Sequence, residues 1–216
     1  MIKAVLFDLD GVLVDSEIIS REASDRVLED VGIVQSEEER KQVFGRRTID
    51  NYRDAIMARG LSLDAGELVR RKGELYARMI KGRLEPLPGV VGLLNELKEA
   101  GIRIVVVSSS PLDRVNASLE EVGLLMEFDF IVSGDCCENG KPNPEPFLLA
   151  AERLGLKPEE CVVVEDAEAG ISAGKSAGMM VVAVRSQNTY GQDLGKADVI
   201  VDSLEDVSLN TLGVVP

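Results

Sequence analysis

The sequence predicts an α/β fold, a doubly wound parallel sheet interrupted after its first strand by a helical insert. Three observations carry that expectation. Short runs rich in Val and Ile recur along the chain, and most do not alternate apolar with polar, as suits parallel strands covered on both faces. Helical patterns lie between several of these runs, the alternation of a strand–helix–strand architecture. One long stretch, from about Ser16 to Lys81, carries helical periodicity and no convincing strand.

The first strand is expected over Lys3–Leu9. Beyond it Ile19, Ala23, Val27 and Val31 recur four apart, as on one face of a helix, and similar patterns cover Ile49–Ala58 and Ala65–Ile80. The run Arg83-Leu84-Glu85-Pro86-Leu87-Pro88-Gly89 reads as the return linker. Helix Val90–Ala100 then precedes strand Ile102–Ser108, helix Leu112–Val122 precedes Phe128–Ser133, and helix Glu145–Leu154 precedes Cys161–Asp166. Helix Ala169–Ala177 precedes Met180–Val184, and Val199–Val201 is a last short strand. Gly101, Gly123, Gly155 and Gly178 stand where these helices should stop. The expected division is residues 1–15 and 84–216 for the α/β core and 16–83 for a helical domain.

The 216 residues are 45% hydrophobic, enough for a real core, but only 4% aromatic with no Trp, so that core must be built from Val, Leu, Ile and Ala. Against 38 acidic residues stand 24 Lys and Arg, a formal charge of -14. Such a chain is expected to be soluble, with no nucleic-acid partner and no attachment to an anionic membrane. A basic leader followed by an apolar stretch is not seen, nor an apolar run of membrane-spanning length. Cys136, Cys137 and Cys161 form neither a disulfide framework nor a zinc spacing, so a reducing cytoplasm is the expected location. The absence of His excludes Ser-His-Asp and Cys-His chemistry and histidine metal sites.

The residues that carry chemistry begin at Asp8-Leu9-Asp10-Gly11-Val12-Leu13-Val14-Asp15-Ser16, directly after the first strand. Ligands of open α/β sheets collect at the carboxyl ends of strands. Two aspartates there repel each other and are costly to desolvate unless something positive joins them. Three further segments follow in order: Ile104-Val105-Val106-Val107-Ser108-Ser109-Ser110, an apolar strand ending in hydroxyls; Gly140-Lys141-Pro142-Asn143-Pro144; and Val162-Val163-Val164-Glu165-Asp166-Ala167-Glu168-Ala169-Gly170. Together they resemble the four motifs of the haloacid dehalogenase (HAD) superfamily, over nearly the whole chain. The helical stretch resembles in position the small α-helical cap of the β-phosphoglucomutase/phosphatase-like branch.

The resemblance implies a strand order 5-4-1-2-3 and a Mg²⁺-dependent phosphatase acting on a small phosphorylated metabolite, a sugar phosphate or phosphoglycolate. Asp8 would be the nucleophile that forms an aspartyl-phosphate, and Asp10 the acid that protonates the leaving oxygen and then activates water. Ser108, helped by Ser109, would bind the phosphoryl group, and Lys141 would offset repulsion between two anions. Asp8, Asp166 and the backbone carbonyl of Asp10 would hold the metal, with Glu165 bound directly or through water. From the cap, Arg46 and Arg47 in Phe44-Gly45-Arg46-Arg47-Thr48 would clamp a second anionic group, and Lys72 resembles the cap lysine of the β-phosphoglucomutases. A phosphomutase of that kind is the alternative, and a haloacid dehalogenase a lower one, since dehalogenases need neither the Asp10 acid nor Asp166. Hydrolysis is expected over mutase chemistry because the mutases carry a histidine five residues after the last Asp of the first motif. Here that position is Ser20.

Overall fold

The computed structural model describes residues 1–185 and 191–214. Six strands, β1 (Ala4–Phe7), β2 (Arg103–Val107), β3 (Phe130–Val132), β4 (Cys161–Glu165), β5 (Met180–Val184) and β6 (Val199–Val201), form one parallel sheet in the order β3-β2-β1-β4-β5-β6. This is the expected 5-4-1-2-3 order with a sixth strand outside the fifth. Every residue of β1 and β4 is buried, which is why β1 and the first four residues of β4 read as unbroken apolar sequence, with only Glu165 at the end of β4 charged.

Helices cover both faces. On one, Val5, Phe7, Val106 and Val164 pack against leucines of α5 (Val90–Glu99) and against Val115 and Leu119 of α6 (Leu112–Glu121). On the other, Leu6, Val105 and Val163 meet Phe147 of α7 (Glu145–Leu154) and Ile171 of α8 (Glu168–Ser176). The four glycines expected to end helices all take positive φ, the conformation a left-handed helix stop requires.

Between β1 and α5 lie α1 (Glu17–Glu29), α2 (Glu37–Val43), α3 (Thr48–Ala58) and α4 (Ala65–Met79). The inner faces of α1, α3 and α4, with Ile33 from the loop after α1, make a separate apolar cluster of Val27, Leu28, Ile33, Tyr52, Ala55, Ile56, Ala65 and Leu68. The same two long helices also reach the sheet, because Ile19 and Ala23 of α1 and Tyr76 of α4, with Ile80 at its end, belong to the sheet's cluster. The four-residue spacing of Ile19, Ala23 and Val27 thus bridges two cores. The chain leaves and re-enters the α/β part side by side: the Leu87 N–H donates to the Leu13 carbonyl at 3.0 Å, and Val14 pairs with Pro86.

Helix α2 has no counterpart among the sequence expectations. It buries no residue, so no apolar stripe announces it. Its start is nonetheless written in Ser36 and Glu39, whose side chains cap each other's backbone N–H groups. Among the described residues no helix is long and apolar enough to cross a membrane.

Candidate active site

The parallel sheet brings the ends of β1, β2 and β4 together at one edge, and the residues that follow each strand meet there. Asp8 follows β1, Ser108 follows β2, and Glu165 ends β4 with Asp166 next. Lys141 arrives from the loop before α7. Its ammonium donates to Asp8 Oδ1 (2.5 Å), Glu165 Oε1 (2.7 Å) and the Val107 carbonyl (2.8 Å), so all three of its protons are used. Burial works against the charge on Lys141, yet Asp8 and Glu165 hold it above the ordinary lysine range. Burial pushes the Asp8 carboxyl up to about 7. Lys141 pulls it back, while Glu165 and Asp10 push it further up.

Glu165 was expected to reach a metal directly or through water. Its second oxygen instead accepts the backbone N–H groups of Asp166 (2.8 Å) and Ala167 (2.9 Å), so both oxygens are engaged by the protein. Asp166 differs. Its Oδ2 is buried with no hydrogen-bond partner. Burial first, then Glu165 and Asp8, push its carboxyl well above the usual range. Gly11, at φ 81°, lies so close that a Cβ there would sit 2.0 Å from Asp166 Oδ2. Among the described residues no three acidic side chains stand ready as a metal cage. What the site offers is a two-carboxylate, oxygen-only set at Asp8 and Asp166 with an orphaned buried oxygen. That set fits a small hard cation completed by carbonyl and water oxygens.

A cavity of about 120 Å³ opens over these groups. Asp8, Asp10, Ser108, Glu165 and Asp166 form its floor, and Glu17, Arg46 and Lys72 are among its walls. Ser108 is buried, and its hydroxyl accepts the Ser110 N–H at 3.1 Å. Ser109 lines the cavity, but its hydroxyl donates to the Gly45 carbonyl (2.9 Å), tying the core to the insert. Lys72 is 8% exposed, and its nearest polar partner is Thr48 Oγ1 at 3.5 Å. Burial, reinforced by Arg114, pushes its ammonium down to about 7 against the pull of Glu17 and Asp10. Arg46 reaches the cavity wall while its guanidinium pairs with Asp54 at 3.1 Å.

Arg47 requires a correction. It does not line the cavity. Its guanidinium grips Asp50 with two nitrogens (2.7 and 3.2 Å) and donates through the third to the Cys137 carbonyl (2.9 Å). Its stem covers Gly140 so closely that a Cβ there would come within 2.7 Å of Arg47 Cγ. Arg47 is a strap between the insert and the loop that carries Lys141, not a ligand clamp.

Two cavity residues escaped the sequence reading. Glu17 follows Ser16 in the first turn of α1, where acids are common for helix-dipole reasons, and so drew no notice. Burial and then Asp10 push its carboxyl up to about 7, against Arg114, Lys72 and Arg21. Arg114, one turn beyond Ser110 on α6, is 7% exposed and donates to Asp10 Oδ1 at 2.8 Å. No sequence signal singles it out, because helical arginines usually face water.

An acid-rich sheet edge with a captive lysine and a cavity walled by the helical insert defines a centre for anionic ester chemistry. Residues 2–178 match the family described as haloacid dehalogenase-like hydrolase, and the chain belongs to that family. It is an enzyme of phosphoric monoesters. It is 34% identical to hexitol phosphatase A of Escherichia coli over 207 residues, 96% of this chain and 94% of that one. It is likewise 34% identical to the β-phosphoglucomutase of Bacillus subtilis over 218 residues, 97% of this chain and 93% of that one. CbbY from Rhodobacter sphaeroides, solved in complex with phosphate, superposes with a TM-score of 0.87 at 27% identity, covering 99% of this chain and 100% of the other.

Proposed function

We propose that the chain is a Mg²⁺-dependent phosphatase of a small phosphorylated metabolite, a sugar phosphate or phosphoglycolate, working through an aspartyl-phosphate on Asp8. The observation that carries this reading is the captive Lys141, which holds Asp8 and Glu165 at hydrogen-bond distance in a buried site. One Asp8 oxygen is fixed by Lys141, which leaves the other to attack phosphorus. The ester P–O bond breaks as the Asp8–phosphorus bond forms, and Asp10 passes a proton to the leaving oxygen. Asp10, now a base, takes a proton from the water that attacks the aspartyl-phosphate, which frees phosphate and restores Asp8. Ser108 and the backbone after it bind phosphoryl oxygens, and Lys141 keeps the approach of two anions affordable.

Asp8, Asp166 and the Asp10 carbonyl would hold the metal, with Glu165 acting through Lys141. Bound magnesium would supply positive charge against the phosphoryl oxygens in a site that is otherwise short of it. Residues 16–83 would act as a cap over residues 1–15 and 84–216, delivering Lys72 and Arg46 to the substrate and excluding water. Three free thiols agree with a cytoplasmic location.

A second reading, a β-phosphoglucomutase-like mutase, is favoured by Lys72, which lies inside the cavity and matches the cap lysine of that branch. One experiment separates the two. Phosphate release is measured across a panel of phosphate esters with Mg²⁺ and with EDTA, alongside β-glucose 1-phosphate primed with glucose 1,6-bisphosphate. Mg²⁺-dependent release, abolished by EDTA, is the expected result. Rapid formation of glucose 6-phosphate with little free phosphate would establish the mutase instead, and full activity in EDTA would remove the metal from the reading.

A further inference from the structure

The carboxylate of Asp10 is held more completely than a mobile acid/base needs to be. Its Oδ1 accepts from Arg114 Nη2 (2.8 Å) and from the Ser16 hydroxyl, and its Oδ2 accepts from the Ser110 hydroxyl (3.1 Å). Arg114 Nη1 donates to that same Ser110 oxygen at 2.9 Å, which closes a ring of three side chains around one carboxylate. The guanidinium is itself fixed. It lies 4.5 Å from the centroid of the buried Tyr76 ring, a stacking that a planar cation favours. Tyr76 comes from α4 of the insert, and its hydroxyl hydrogen-bonds Ser118 Oγ at 2.8 Å. Ser118 in turn donates to the Arg114 carbonyl at 3.0 Å. Arg114 is therefore anchored at its backbone by α6 and at its head by the insert, and its charge is spent on Asp10.

The geometry points to Arg114 as the residue that positions the carboxylate of Asp10 for proton transfer. The inference rests on the phosphatase reading above and assigns to it a role for a side chain outside the four motifs. Arg114 touches no reacting atom. It acts by restricting the rotation of Asp10, and because Tyr76 helps to hold it, the alignment is completed only when the insert sits over the core. A carboxylate freed from this ring samples several directions, and the fraction aligned with the leaving oxygen falls.

The loss should therefore appear only where a proton is needed. An alkyl phosphate expels a poor leaving group that must be protonated as the P–O bond breaks. p-Nitrophenyl phosphate expels a stable anion that need not be. Single-turnover formation of the phosphoenzyme is measured for wild type, R114M and R114K with p-nitrophenyl phosphate and with an alkyl phosphate from the panel. In R114M the alkyl ester should react about 30- to 100-fold more slowly, while the burst of p-nitrophenolate slows far less. R114K should recover part of the lost alkyl-ester rate and so shrink the selectivity, since it restores one charged donor. Ser110→Ala, a small change that removes one side of the ring, should show the same selectivity at a few-fold and serves as the measure if R114M does not fold. A selectivity between the two esters below about threefold in both R114M and S110A overturns the assignment. Wild-type turnover of the two esters reports on the phosphatase reading; their ratio in the variants reports on Arg114.

Discussion

The two ends of the cavity are built by different means. The sheet end uses residues that sit beside strand ends and within short contiguous motifs: Asp8 and Asp10, Ser108, Glu165 and Asp166. Their positions follow from the sheet, and their charges meet buried cations, Lys141 at Asp8 and Glu165 and Arg114 at Asp10. The insert end uses single residues from separate helices, Glu17 from α1 and Lys72 from α4, together with Arg46 in the turn before α3. No short contact locks Glu17 to Lys72. Lys72 is buried and Glu17 half-buried, and desolvation pushes the acid up and the amine down to about 7. An end tied down by buried ion pairs, with one oxygen of Asp166 left unpaired, suits chemistry that does not vary. An end of loosely balanced charges suits recognition, where a substrate can complete what the protein leaves open.

The contrast breaks most sharply at Asp8. Asp8→Asn should lower turnover by at least about 10³-fold, because the amide cannot attack phosphorus. The fold should survive, since Lys141 keeps Glu165 and the Val107 carbonyl. Steady-state rates with a circular dichroism melt check both halves, and turnover within tenfold of wild type would sink the covalent route.

Arg47 tests the join between the two ends. Arg47→Ala removes the strap to Cys137 and uncovers Gly140 beside Lys141. It should raise KM or lower kcat by about tenfold without altering which esters are preferred. A changed preference would return Arg47 to the role of a ligand clamp.

The smallest effect is expected at Glu17, and in stability. The folded-state pKa of Glu17 is raised from 4.5 to about 7. Its protonated form therefore contributes stability that is fully present below pH 4.5 and lost as pH rises through about 7. Glu17→Gln mimics that protonated form. Relative to wild type it should gain nothing at pH 4 and about 1–3 kcal/mol at pH 8, read from urea melts at the two pH values. An equal effect at both would mean that Glu17 is not held against its charge.

The same division decides what could be read from the sequence. Strand positions were legible because β1 and all of β4 but its last residue, buried on both faces, are apolar, and the motif residues lie beside them; the strand order came only through resemblance. Lys72 was legible only through resemblance. Arg47 misled, because paired arginines beside a glycine look the same whether they face a ligand or a carbonyl; only the folded chain puts Cys137 within 2.9 Å. Arg114 and Glu17 were invisible for a related reason. Each sits in the first turn of an amphipathic helix, and only the packing of the insert against the core turns them inward. Helix α2 was missed because apolar spacing was the signal sought and it has none, although its Ser36–Glu39 cap was in plain sight.

The place of β1 at the middle of the sheet has a consequence for synthesis. Asp8 is synthesised well before its partners: its counter-ion Lys141 lies 133 residues later, and β4, its neighbour on one side, later still. At ordinary elongation rates Asp8 waits on the order of ten seconds for Lys141. Until β2 follows at Arg103, the apolar run from Ala4 to Phe7 has neither strand partner. The helices α1 to α4 emerge in between, and their own cluster of Val27, Tyr52 and Leu68 can form from local contacts alone. The part of the chain that lines the far side of the cavity is thus synthesised before either neighbour of β1. A chain halted before Arg103 would carry these helices beside a β1 that has neither strand partner.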